Sequence, residues 1–150
     1  MKYRMAKIIG IIGAALLYTQ TALAWTFTPN PICTVTFENE EIDLELTYSH
    51  ETEIYAIKLT KTDAPWADSD KFSMRFEGVR PNLISTQNHE FSADMRSITA
   101  SDTGFGNVLD GLQYNTIAAV ITDSERVFFS LIKAYPKIES FRDCTAAQRI

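Results

Sequence analysis

From Ile32 onward, apolar and polar residues alternate with a period of two over most of the chain. Ile32-Cys33-Thr34-Val35-Thr36-Phe37 is rich in β-branched and aromatic residues, and Ile42, Leu44, Leu46 and Tyr48 alternate with Asp43, Glu45 and Thr47. Such alternation gives a strand one apolar and one wet face. Asn39-Glu40-Glu41 joins the two runs as a short polar hairpin turn, without the Asn-Gly or Asp-Gly pair that marks the tightest turns. Tyr55, Ile57 and Leu59 define a third strand. The proline and acids of Thr62-Asp63-Ala64-Pro65-Trp66-Ala67-Asp68-Ser69-Asp70 then read as a loop crossing to another part of the sheet.

Phe72, Met74 and Phe76 restart the alternation, and Gly78-Val79-Arg80-Pro81 stops it, because proline removes a ladder donor and extends its predecessor. Residues 82–86 predict a strand, 87–90 a turn, and 91–99 a weaker strand ending at Ile98. Residues 116–122 form a nearly continuous apolar run, as expected of a strand covered on both sides. Arg126 to Ile132 returns as the second arm of a hairpin, with Val127, Phe129 and Leu131 on one face. At the end, Ala134, Ile138, Phe141 and Cys144 recur at helical spacing behind Pro136, which suits a first helical turn. Their face is apolar, while Lys137, Glu139 and Arg142 fall on the solvated side. The pattern predicts an all-β fold: one compact antiparallel β-sandwich or partly open barrel with a short C-terminal helix.

One stretch breaks this rhythm. Asp102-Thr103-Gly104-Phe105-Gly106-Asn107-Val108-Leu109-Asp110-Gly111-Leu112 packs glycines, acids and an aromatic into a few residues. It reads as an architectural crossover in which Gly104 and Gly106 shape a turn, Val108, Leu109 and Leu112 plug the core, and Asp110-Gly111 ends a short helical turn. Phe105, Asn107 and Gln113 are then the side chains left free to bind a ligand. Trp25, Phe27, Trp66 and Phe105 lie off the clean alternating faces and either seal the ends of the fold or form a contact surface; sealing is the preferred reading.

The N-terminal residues change the compartment. Lys2, Arg4 and Lys7, the apolar run from Ile8 to Tyr18 and the Ala22-Leu23-Ala24 end read as a signal peptide over residues 1–24. The run is well short of the ~20 residues needed to span a bilayer, so residues 25–150 are expected as one exported β-rich domain with no membrane span. The two cysteines, Cys33 and Cys144, are expected to pair in an oxidising compartment and close that domain. They lack the Cys-x-x-Cys spacing of a redox pair.

The formal net charge of −5, more negative once a basic leader is removed, argues against nucleic acid as a partner, since phosphate binding needs clustered Lys and Arg. Metal and cofactor motifs are also missing. His50 and His89 have no partner at zinc-ligand spacing, the acidic glycine stretch does not match a calcium loop, and Gly104-x-Gly106 lacks the remaining parts of a phosphate cradle. No Gly-x-Ser-x-Gly elbow is present. Hydrolysis would require Asp102, Asp110 or His89 to converge in a cleft.

Several motifs together carry a resemblance: Trp25-Thr26-Phe27-Thr28-Pro29 followed by Cys33, Phe76-Glu77-Gly78-x-Arg80, Ile84-Ser85-Thr86, the Thr103–Leu112 stretch and Phe141-Arg142-x-Cys144. In these the chain resembles a family of small exported bacterial proteins of unassigned activity. Some of its members carry the label of a component of excinuclease ABC, the excision nuclease of DNA repair. That label does not transfer, since the chain is acidic, bears an export signal and lacks P-loop and helicase motifs. The resemblance implies localisation and a shared fold, and supplies no catalytic residue. The expected function is a non-enzymatic binding or interaction module of the envelope, recognising an envelope protein or a small ligand. Its alternatives are an inhibitor of a lysozyme or protease and an envelope hydrolase.

Overall fold

The computed structural model describes residues 13–16 and 24–149. The leader expected over residues 1–24 lies, except for 13–16 and Ala24, outside the described residues. In chain order the elements are β1 (Ala24–Thr28), β2 (Cys33–Glu38), β3 (Ile42–Ser49), β4 (Ile54–Lys61), β5 (Phe72–Gly78), β6 (Asn82–Thr86), β7 (Glu90–Phe91), β8 (Ser97–Asp102), α1 (Gly106–Tyr114), β9 (Asn115–Ile121), β10 (Arg126–Ser130) and α2 (Tyr135–Gln148). The strands form a six-stranded sheet in the order β1-β2-β3-β4-β8-β7 and a four-stranded sheet in the order β10-β9-β5-β6. Every pairing is antiparallel. Among the described residues no ladder joins the two sheets, so the architecture is a sandwich and not a closed barrel.

Register explains the core. The strand alternation read from the sequence lines up across the large sheet as rows of inward residues: Phe37 opposite Leu44, Leu44 opposite Leu59, and Leu59 opposite Ile98. All four are at most 2% exposed. Beyond the row Val35, Leu46, Ile57, Ala100, a further one runs Cys33, Tyr48, Tyr55, Asp102. In the small sheet Ile84, Met74, Val120 and Val127 align likewise. Rows of this kind turn the two sheets' apolar faces toward one another, and Phe37 meets Phe129 across the layer with ring centroids 5.6 Å apart. Burial of such a face drives folding at about 25 cal/mol per Å² of apolar surface.

Side-chain chemistry supplies the turns. Asn39 Oδ1 accepts hydrogen bonds from the Glu41 and Ile42 N–H groups (2.8 and 2.7 Å), so an Asx turn replaces the missing Asn-Gly pair at the β2–β3 hairpin. Between β7 and β8, the Asp94 carboxylate accepts from the Ser92 hydroxyl and the Arg96 N–H. These two bonds hold its pKa below the usual carboxylate value, the Ser92 bond contributing most. This turn splits the strand expected over 91–99 into the two-residue β7 and a β8 that continues to Asp102. At the other end of the small sheet, Asn115 Nδ2 donates to the Arg80 and Gly111 carbonyls (2.8 and 3.0 Å) and its Oδ1 accepts from the Arg80 N–H (3.0 Å). The Gly78–Pro81 turn is thereby pinned to the start of β9. Gly78 passes so close that a Cβ there would lie 2.7 Å from the Asn115 Cα.

Three expectations change. β1, which the alternation did not mark as a strand, pairs with β2 and places Trp25 on Phe37 (centroids 4.7 Å apart). The run at 116–122 is covered fully on one side and only in part on the other: Ala118 and Val120 are fully buried, while on the outer face Ala119 is buried but Ile117 is 43% exposed. The last strand stops at Ser130, and Leu131 and Ala134 turn the chain into α2.

Helix α2 lies across β1 and β2 and is bonded to β2 by the Cys33–Cys144 disulfide. Ala134, Ile138 and Phe141 are wholly buried, as the helical spacing predicted. Arg142, expected on the solvated side, instead donates to Asp110 (2.6 Å) and Gln113 (2.8 Å) of α1. Among the described residues no helix is long and apolar enough to cross a membrane.

Candidate functional site

The glycine stretch follows β8 directly, and its course is set by the Cys33-Tyr48-Tyr55-Asp102 row. Phe105 folds back over that row and stacks on Tyr55 (centroids 5.5 Å apart, 23° between planes). From Gly106 the chain is helical. Leu109 and Leu112 enter the core as expected, but α1 does not end at Asp110-Gly111; it runs to Tyr114. Gly111 is inside the helix because its bare Cα faces the Phe76 ring, and a Cβ there would overlap the ring carbons. The expected roles of Gly104 and Gly106 are also corrected. Neither has a positive φ, and a Cβ on either would meet no atom within 4 Å.

This path leaves a cleft of about 470 Å³ between the two sheets at the β6–β8 side. Ile57, Phe72, Met74 and Phe105 form its apolar floor. One wall is Ile84-Ser85-Thr86 of β6, the other Ala100-Ser101-Asp102 of β8, and Gly104, Gly106, Asn107 and Val108 close one end. A volume in the range of about 300–1,000 Å³, a mostly apolar floor and a few polar groups are the usual features of a ligand pocket. Phe105 at the start of α1 makes no side-chain capping bond, so the first N–H groups of the helix stay unpaired by any cap beside the cleft.

The residues singled out in the sequence are divided by this geometry. Asn107 is exposed at the cleft end and Phe105 lines the floor, but Phe105 is 6% exposed and packed on the core rather than free. Gln113 is also 6% exposed, is not part of the cleft and accepts at Oε1 a hydrogen bond from the Arg142 Nε–H. The extra helical turn past Gly111 is what rotates Gln113 inward, toward α2.

Nor do the three groups a hydrolase would need come together. Asp102 lines the cleft and accepts from the Thr103 N–H at 2.6 Å. Asp110 is ion-paired with Arg142 at 2.6 Å. His89 donates from Nε2 to the Ser69 carbonyl (2.7 Å), with its ring between Phe72 and Phe91. Asp102 is therefore, among the described residues, the one ionisable side chain lining the cleft. Among the described residues no three His, Cys, Asp or Glu side chains group as a metal site would require. The off-face aromatics seal the fold: Trp25 packs on Phe37, and Trp66, 2% exposed, donates from Nε1 to the Leu59 carbonyl (3.2 Å).

Sequence reasoning missed the cleft walls. Ile84 and Ala100 carry the same period-two signal as any core residue, and nothing in their type marks the edge of a sheet. The one legible hint was the position of Phe105 and Asn107 beside the glycines. Comparison of the chain with protein-family models, with curated proteins and with solved structures finds no match in any of the three.

Proposed function

We propose that the chain is an exported, non-enzymatic binding module of the bacterial envelope, and that its ligand is held in the cleft between β6 and β8. The observation that carries this reading is the composition of the cleft: an apolar, aromatic floor between polar walls, with a single ionisable side chain among the described residues that line it. General acid–base chemistry ordinarily needs a second titratable or nucleophilic group in reach of the first, whereas recognition needs only shape, apolar area and a few polar contacts. The Cys33–Cys144 disulfide suits an oxidising compartment, and the resemblance to small exported bacterial proteins supports the same localisation.

The lack of any neighbour around a Cβ at Gly104 provides a direct test. Since a Cβ at Gly104 has open space around it, Gly104→Trp is expected to place a ring at that end of the cleft with a stability change of no more than about 0.5 kcal/mol. Mixtures of small fragments and of short peptides are screened against the purified protein by ligand-observed NMR. Binders are expected, and Gly104→Trp should weaken them about tenfold or more, a loss of roughly 1.4 kcal/mol. The absence of any binder, or binders indifferent to Gly104→Trp, would refute the reading, as would turnover of a substrate by the purified protein.

A further inference from the structure

The two walls of the cleft share a property that a cavity between sheet faces would lack. Along a strand, successive side chains point to opposite faces, so a space between two sheets touches alternate residues. This cleft touches three consecutive residues on each wall, Ile84-Ser85-Thr86 and Ala100-Ser101-Asp102. It therefore opens onto the strand edges, where backbone N–H and C=O groups are presented.

The direction of those groups follows from the hydrogen bonds flanking each strand. The Arg96 carbonyl accepts from the Lys61 N–H (2.9 Å) on the β4 side, and the Ser97 carbonyl accepts from the Ser92 N–H (3.0 Å) on the β7 side. Backbone polar groups alternate sides along an antiparallel strand. Ile98, Ala100 and Asp102 thus face β4, while Thr99 and Ser101 face away from it. Thr99 is opposite Glu90, the first residue of β7. Opposite Ser101 there is no strand among the described residues.

The other wall repeats this arrangement. The Leu83 N–H is bonded to Asn82 Oδ1 (2.9 Å), which turns it and, two residues on, Ser85 away from β5. β6 is the last strand of its sheet. Ser85 and Ser101, the central residues of the two walls, both direct their main chain outward at the cleft.

We propose that the cleft binds an extended peptide segment of another protein as an added strand on the free edge of β8, paired through Ser101. The proposal rests on the binding reading above and names its ligand class. Backbone groups of a strand edge are matched by another strand, which gives affinity, while side-chain pockets give selectivity. The apolar floor takes one apolar side chain of the peptide. Among the described residues, Asp102 is the only charged side chain lining the cleft and its Oδ2 takes no hydrogen bond, so a Lys or Arg near the pairing position is favoured.

The test uses peptides selected by the purified protein from a random display library and resynthesised with each backbone nitrogen methylated in turn. An added strand paired through Ser101 predicts a loss of about tenfold at the one position whose N–H meets the Ser101 carbonyl and little effect at its neighbours, whose N–H groups point away from β8. Ser101→Pro should weaken binding to a similar degree with the melting temperature nearly unchanged, because its N–H is not part of the β4–β8 ladder. A flat methylation scan, or selected peptides that bind Ser101→Pro as tightly as the parent, would overturn the proposal. The scan is made on the unaltered protein, so it decides even if Ser101→Pro fails to fold. Fragments that bind and are blocked by Gly104→Trp, with no peptide selected, would end this proposal and leave the binding reading intact. A dimer in sedimentation that Ser101→Pro dissolves would also overturn it, assigning the edge to a second copy.

Discussion

Replacing Cys33 and Cys144 together by alanine is expected to lower stability by about 4 to 5 kcal/mol, the largest loss available from one covalent change. The bridge joins residues separated by 111 positions and so constrains nearly the whole unfolded domain. Loop-closure entropy rises with the logarithm of loop length, which places this disulfide near the upper end of the usual range. Its site adds to the effect. Cys33 is wholly buried in the row that continues through Tyr48 and Tyr55, and Cys144 holds α2 against that row. The melting temperature should fall by about 15 °C, and the denaturant slope should rise because the uncrosslinked chain exposes more surface on unfolding. Urea unfolding of the double variant checks both. A midpoint shift worth less than about 1 kcal/mol would mean that packing of α2, not the crosslink, closes the domain.

Gly111→Ala is expected to destabilise the protein by about 2 kcal/mol, opposite to its usual effect in a helix. Alanine in a helix interior is favoured over glycine by about 1 kcal/mol. Overpacking a filled core costs about 1 to 3 kcal/mol, sometimes more. Here overpacking prevails, because the added Cβ meets the ring of Phe76, which is wholly buried and has no route of retreat. Gly106→Ala, at the start of the same helix with open space around it, should be neutral or slightly stabilising. Phe76→Leu makes room, so the double variant with Gly111→Ala should be more stable than the two single losses predict, by about 1 kcal/mol. Strict additivity in chemical denaturation would refute the contact.

The strands were legible because each carries an alternation that only one register can bury. Ile42, Leu44, Leu46 and Tyr48 needed no partner to announce an inward face, and Ala134, Ile138 and Phe141 announced theirs at helical spacing. The glycine stretch was legible as unusual but misread in detail. Glycine signals either a special φ or a close approach, and which of the two applies depends on the neighbour: Gly111 answers to Phe76, Gly78 to Asn115, while Gly104 and Gly106 answer to nothing within reach. Gln113 shows the same limit, since its inward turn depends on how many residues α1 contains. The cleft was less legible still. It exists because β7 has only two residues and leaves the remainder of the β8 edge unpaired, a property of strand order that no residue of β8 encodes.

Peptide binding in the cleft is tested most directly by mapping backbone amide shifts in the uniformly labelled protein on titration with a selected peptide. Binding there predicts a contiguous set of perturbed amides at Ile84–Thr86, Ala100–Asp102 and Gly104–Val108, with slowed exchange at the Ser101 N–H. Perturbations gathered instead on the outer face of the small sheet, around Ile117 and the 56% exposed Phe128, would contradict it.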